Sequence, residues 1–305
     1  MSETLEARVV ATFGRHMTVR TADGRLLRAR PFGRALAVVC GDRVQCRADP
    51  RHDELHVIAL LPRRSALYRA NLRGASEPVV ANLDALLVVL APLPVPDLFV
   101  VDRYLAAAAS AHIAATLVVN KEELGVDAAL GAELAAYAAA GYAAVRCSAA
   151  TGASLAALLA AIPAGAAAAL VGQSGVGKSS LVARLLPGEQ VAIGELVRAE
   201  EGRHTTTASR LFELPGQRAL IDSPGVRDFA PAIDRLDARS LGFVEVERLA
   251  AGCRFLDCRH MREPGCAVRA AVEAGTFHAR RYESYRRLRV LFEKLTAARG
   301  PAGRS

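Results

Sequence analysis

Two groups of residues in this sequence have the types and spacing to do chemistry. The first is Gly172-Gln173-Ser174-Gly175-Val176-Gly177-Lys178-Ser179, followed by Ser180, a full match to G-x-x-x-x-G-K-S. Glycines at those positions let successive backbone N–H groups close around phosphates, and a helix opening at the lysine adds the positive end of its dipole. Lys178 is then expected to reach the β- and γ-phosphates, and the Ser179 hydroxyl to ligate Mg²⁺. The second group is Cys253, Cys258, His260 and Cys266, spaced C-x4-C-x-H-x5-C. Three thiolates and an imidazole make a closed tetrahedral set, the structural kind of zinc site, with no open position for catalysis. Read from spacing, the alternative is a pair of free cysteines beside a surface histidine.

Further polar residues stand where a nucleotide site would need them. Asp222-Ser223-Pro224-Gly225 ends an apolar run. Asp222 is placed to hold Mg²⁺ through water, and Gly225 to offer its N–H to a γ-phosphate; the same four residues also suit a plain turn. Before them lies Gly202-Arg203-His204-Thr205-Thr206-Thr207. Thr206 is a candidate for the Mg²⁺ shell and His204 for orienting water, or the segment is a simple loop. Val226 stands where Ras-like enzymes carry a water-positioning glutamine, which predicts slow intrinsic turnover. Upstream of the glycine loop, Asn120-Lys121-Glu122-Glu123 resembles the Asn-Lys-x-Asp guanine signature, with Glu123 in the aspartate's place. A carboxylate there takes both guanine donors, N1–H and the exocyclic amine, and the extra methylene moves it by about 1 Å. Cys147-Ser148-Ala149 resembles the short loop whose backbone contacts guanine O6.

The elements that must carry these groups fall into three stretches. Residues 5–62 read as about five short alternating strands separated by turn residues such as Ala22-Asp23-Gly24 and Gly41-Asp42, which suggests a small barrel of the OB type. Arg63, Arg64 and Arg69 form a basic connector. From 82 the texture changes to Val/Leu-rich strands at 82–92, 115–120, 143–149, 167–173 and 218–225, alternating with helical segments near 99–112, 128–140 and 177–186. That is the pattern of a parallel α/β sheet. The remainder is helical around the Cys/His group. Its basic helix 280–295, with Tyr282, Tyr285 and Phe292, either lies along RNA or packs its aromatic face on the metal module. The expected domains are therefore 1–68, an OB-fold RNA-binding domain; 69–232, a GTPase domain of permuted order; and 233–305, a helical zinc-binding domain.

Composition supports this division. The chain of 305 residues is 52% hydrophobic and 23% charged, with a net charge of +8. The charge is uneven: residues 1–76 and 251–305 each carry +7, leaving −6 for the middle. Two basic modules bracketing an acidic one favour a polyanionic partner. No run is apolar and long enough to span a bilayer, and the N-terminus lacks the basic-then-apolar form of a secretion signal, so no membrane partner and a cytoplasmic location are expected. Cys40, Cys46 and Cys147 read as buried small hydrophobes.

The order Asn-Lys, Ser-Ala, phosphate loop, Thr, Asp-x-Pro-Gly is a rotation of the usual GTPase order. At this point the sequence resembles the ribosome-small-subunit-dependent GTPase A family over almost its whole length. Further marks are GDRV (41–44), PRRSALYR (62–69), NLDALLVV (82–89), GRHTTT (202–207) and EPGCAV (263–268). The resemblance implies an α/β fold with a circularly permuted P-loop GTPase domain, an N-terminal OB barrel and a C-terminal zinc domain. It implies one structural zinc per chain at Cys253, Cys258, His260 and Cys266, and Mg²⁺ with GTP. It also implies slow GTP hydrolysis accelerated by the 30S subunit, contact with 16S rRNA, a part in late small-subunit maturation and release of assembly factors, and a monomer. Two rivals are an ATPase, if Glu123 does not read guanine, and an RNA-binding placeholder that holds GTP without turning it over.

Overall fold

The computed structural model describes residues 4–33, 36–48, 54–71, 75–186, 208–223 and 229–298. Strands β1 (Thr4–Phe13), β2 (His16–Thr21), β3 (Leu26–Pro31), β4 (Arg43–Ala48) and β5 (Leu55–Leu60) close a barrel in the order β1-β2-β3-β5-β4-β1. Only β3 and β5 run parallel, which is the OB arrangement. Alternate residues Val9, Val19, Ala29, Val44, Cys46 and Val57 fill its interior. Residues 36–42, just before β4, form no strand. There the chain turns on the buried Asp42, whose carboxylate accepts the Val39 N–H at 2.9 Å and the Arg63 Nε–H at 2.7 Å. The basic connector is also more than a linker: β6 (Ala66–Ala70) and β7 (Ser76–Ala81) form an antiparallel hairpin.

The central domain alternates β8 (Ala85–Leu90), α1 (Leu98–Ser110), β9 (Ala114–Val119), α2 (Ala128–Ala140), β10 (Ala143–Arg146), α3 (Leu155–Ala160), β11 (Ala167–Gly172) and α4 (Lys178–Leu185). Strands β12 (Ser209–Leu214) and β13 (Arg218–Asp222) follow. The order is β10-β9-β8-β11-β13-β12, parallel except for the β12–β13 pair. Every residue of β8 is buried because helices cover both sheet faces. Leu86, Val88 and Leu90 meet Tyr104 and Leu105 of α1, while Leu87 and Val89 meet Leu158 of α3 and Leu181 of α4. Barrel and domain share one sheet, since β1 pairs with β12 through Ala11–Arg210 and Thr12–Ser209.

The C-terminal part holds α5 (Val244–Leu249), α6 (Ala267–Glu273) and α7 (Ala279–Ala298). The aromatic side of α7 faces its own module: Tyr285 and Leu288 are buried there, with Tyr282 and Phe292 packed alongside. Of the two readings of this helix, packing is the one its aromatic face satisfies. The module seats on α1 at Gly242, whose φ is +75° and where a Cβ would lie 2.1 Å from the Ala106 carbonyl oxygen. Any side chain there would push the two modules apart.

A buried charge cluster joins the same pieces. Arg281 of α7 is 1% exposed and donates to Asp102 Oδ1 of α1 at 2.6 Å and to Glu245 Oε2 of α5 at 2.7 Å. Its guanidinium also lies over the rings of Tyr137, Tyr142 and Phe243. Burial works against its charge, but Glu245 and Asp102 more than offset that and raise its pKa. Arg281→Ala strands the buried Glu245 carboxylate and leaves Asp102 to Arg280 and the Tyr137 hydroxyl, and is expected to cost about 3–5 kcal/mol of stability. A thermal melt or denaturant titration checks this, and a loss below about 1 kcal/mol contradicts it.

Candidate nucleotide site and metal centre

The phosphate loop leaves the end of the fully buried β11 and enters α4 at Lys178. Apolar Ala167–Val171 anchor the strand in the sheet core, while Gly175 and Gly177 hold φ values of +83° and +92° that the loop's curvature requires. Lys178 is 6% exposed, and its ammonium donates to the carbonyls of Gly172 and Gln173, both at 2.8 Å. It is thereby bent back over the loop. Ser174, Ser179 and Ser180 are exposed at the loop and first helical turn.

The two upstream segments meet this loop directly. Asn120, 1% exposed at the end of β9, donates its Nδ2–H to the Val176 carbonyl at 2.8 Å and accepts the Ala149 N–H on Oδ1 at 3.0 Å. One amide thus ties the phosphate loop to the Ser148–Ala149 loop. Lys121 donates to the carbonyls of Gly175 and Leu93, both at 2.8 Å. Ser148 is fully buried, and its side chain hydrogen-bonds the Glu123 carboxylate. That bond, followed by one from the backbone N–H of Glu123, lowers the Glu123 pKa and keeps the group ionised. Glu122 is half-buried beside it, its N–H donating to the Cys147 carbonyl at 3.1 Å. Cys147 is buried, and burial pushes its thiol up to about 11, as expected for a packing residue. Cys40 and Cys46 are buried likewise.

Asp222 ends β13, and its neighbour Ser223 is tied to Ser209 of β12 by an Oγ–Oγ hydrogen bond of 2.6 Å. Gly225, Val226, His204 and Thr206 lie outside the described residues. Arg184 is a residue that motif reading overlooked. From α4 it donates to the carbonyls of Ala149 and Ala150, both at 2.9 Å, and so fixes the loop beside Asn120 from the other side. The only sequence signal was its place on the helix that the phosphate loop opens.

In the C-terminal module the ligand atoms of Cys253, Cys258, His260 and Cys266 all lie within 4.8 Å of one another. His260 Nδ1 is 3.5 Å from the sulfurs of Cys253 and Cys266, and those sulfurs are 4.0 Å apart. A tetrahedral zinc with ligand distances of about 2.0–2.3 Å sets its ligands about 3.5–3.8 Å apart, so the donor set fits that ion. None of the three cysteines is in a disulfide. The loop is shaped by Glu263, which accepts the N–H groups of Arg259, Met261 and Arg262 at 2.9–3.1 Å and lets His260 sit at φ +61°. The hydroxyl of Tyr282 donates to the His260 carbonyl at 2.7 Å.

A strand-borne phosphate loop, locked to an Asn-Lys segment and a Ser-Ala loop that precede it in the chain, defines a P-loop GTPase domain of circularly permuted order. Residues 60–231 match the RsgA GTPase family, and the chain belongs to that family. It is 44% identical over 288 residues to the small ribosomal subunit biogenesis GTPase RsgA of Azotobacter vinelandii, covering 92% of this chain and 83% of that one. Against the protein of the same name from Pseudomonas aeruginosa strain LESB58 the identity is 42%, with the same coverage. The fold is similar to that of YjeQ from Thermotoga maritima, with a TM-score of 0.72 at 24% identity, covering 99% of this chain and 100% of that one. It is also similar to YloQ, described as a circularly permuted GTPase, with a TM-score of 0.70 at 20% identity and 96% of each chain covered.

Proposed function

We propose that this GTPase acts in late maturation of the small ribosomal subunit, binding 16S rRNA through its two basic ends and hydrolysing GTP faster when docked on the 30S particle. The observation that carries this reading is the hydrogen-bonded unit in which Asn120 and Lys121 tie the phosphate loop at Val176 and Gly175 to Ala149, set between modules of +7 charge. The three functional stretches are 1–68 for RNA, 69–232 for GTP and 233–305 for zinc. The name that these relatives carry, small ribosomal subunit biogenesis GTPase, supports the ribosomal role. No helix of the described residues is long and apolar enough to cross a membrane, and the protein is proposed to work as a cytoplasmic monomer.

In this reading the backbone of Gly172–Ser180 and the Lys178 ammonium would hold the phosphates, and Ser179 and Asp222 would hold Mg²⁺, which would supply charge neutralisation at the phosphates. Gly225 offers its N–H to the γ-phosphate. Asn120, Lys121, Glu122, Glu123, Ser148 and Ala149 hold the guanine. Val226 has no group to position water, so turnover by the isolated protein is slow. On the docked subunit His204 would take that task, and Thr206 would help to hold Mg²⁺. Cys253, Cys258, His260 and Cys266 would hold one structural zinc. Assembly factors leave as the GTP state is consumed. Co-sedimentation with purified 30S subunits tests the ribosomal part: retention with a non-hydrolysable GTP analogue and release with GDP are expected, and equal retention in both states contradicts it.

Base selection carries its own expectation. Guanine nucleotides are expected to bind at least about tenfold better than adenine ones, because each charge-assisted hydrogen bond to the Glu123 carboxylate is worth about 1.5–3 kcal/mol. Glu123→Asp keeps or improves the preference. Equal affinities for GDP and ADP in a competition titration overturn it and favour an ATPase.

A further inference from the structure

The outer face of the barrel carries a feature that the nucleotide and metal sites do not use. Register places Arg30 of β3 opposite His56 of β5, and His56 opposite Arg47 of β4, so the three form one row across the sheet. Their neighbours Ala29, Leu55, Val57 and Cys46 point inward and are buried. At the end of β3, Phe32 continues the outward row. Its N–H is fixed to the Val57 carbonyl at 2.8 Å, yet the residue is 59% exposed.

That exposure is not an unsupported side chain. The Arg47 guanidinium carbon lies 5.8 Å from the Phe32 ring centroid, and the His56 ring packs against it at 5.5 Å with a 50° tilt. Arg30 holds the imidazole from behind through Nε–H donation to His56 Nε2 at 3.1 Å. Two neighbours thus fix the Phe32 ring while much of it stays open. Around it the face is cationic, with Arg28, Arg30 and Arg47 against Glu54, which pairs with Arg30 at 3.6 Å.

A held aromatic ring amid guanidinium groups, on an open sheet surface, is how proteins receive unpaired bases: the ring stacks the base and the cations track the backbone. The core of a protein–protein interface is depleted of charged residues, whereas here a lone aromatic stands in a charged field. An open face also gives no enclosure for a free nucleotide. We infer that Phe32, backed by Arg47 and His56, is a stacking platform for an unpaired base of single-stranded RNA on the β3–β5–β4 face. This rests on the proposed RNA-binding role of the barrel and names the kind of RNA it takes.

The test uses the full chain and a short single-stranded RNA carrying one 2-aminopurine. Quenching of the 2-aminopurine on binding is expected, with affinity lowered about fivefold or more by Phe32→Ala and kept by Phe32→Trp. The salt dependence should be unchanged in Phe32→Ala, because stacking releases no counterions, and shallower in Arg47→Ala. Basal GTP turnover and melting temperature of Phe32→Ala should match the wild type. If Phe32→Ala binds and quenches like the wild type, the RNA-binding reading stands and the platform falls. If the wild type binds neither this RNA nor 30S subunits, the RNA reading falls and takes the platform with it. If Phe32→Ala weakens subunit binding but leaves RNA binding unchanged, the face docks a protein and the inference is wrong.

Discussion

Lys178→Ala is expected to lower GTP turnover by roughly 10²–10³-fold, the usual cost of deleting one preorganised donor at developing charge. The side chain is buried at the foot of α4 and already bent over the loop toward the Gly172 and Gln173 carbonyls. Its removal takes away a positive charge and leaves both carbonyls without that donor. Lys178→Arg should not rescue, because a planar fork cannot replace a compact ammonium in the space between the loop carbonyls. Single-turnover hydrolysis, with nucleotide affinity measured in parallel, reads the effect. Turnover within about threefold of the wild type would mean that the loop does not hold the reacting phosphate.

Cys258→Ser is expected to remove zinc and unfold most of the C-terminal module while sparing GTP binding. In sites of this kind much of the metal's binding free energy, about 10–16 kcal/mol for small zinc modules, is folding free energy. The ligand loop packs little apolar surface of its own: Leu256 is 97% exposed and Phe255 41%. The nucleotide motifs lie on other elements, so affinity for GDP should change little. Metal analysis should give one zinc per wild-type chain and a sharp loss in the variant. Wild-type protein purified without chelator yet free of zinc contradicts the metal assignment.

Much of the architecture is legible in the sequence where one local rule fixes both element and position. The glycine spacing from Gly172 to Ser179 requires a strand before it and a helix after it, and both are found. The alternation in 5–62 marks five strands because each has one face in the barrel core. The β6–β7 hairpin escaped notice because β6 is short and carries Arg69 next to the basic Arg63-Arg64 pair, and Pro78 stands inside β7, so the stretch resembles a connector. The turn before β4 is legible at Gly41-Asp42, but what fixes it is not: Asp42 is satisfied by residues 3 and 21 positions away, and the second of these is invisible to a local pattern. Arg184 and Arg281 share that limit. Each looks like a solvated helix charge, and each acts through carbonyls or carboxylates brought in by distant segments.

The central claim is that docking on the small subunit switches on a slow GTPase. Single-turnover hydrolysis of GTP, with and without purified 30S subunits and across a salt series, tests it most directly. A slow rate alone, a large acceleration by subunits that weakens steeply with added salt, and loss of most of that acceleration in His204→Ala with GTP affinity retained are the predicted results. A rate that subunits leave unchanged, at any salt concentration, would contradict the account and favour a placeholder that holds GTP without subunit-driven turnover.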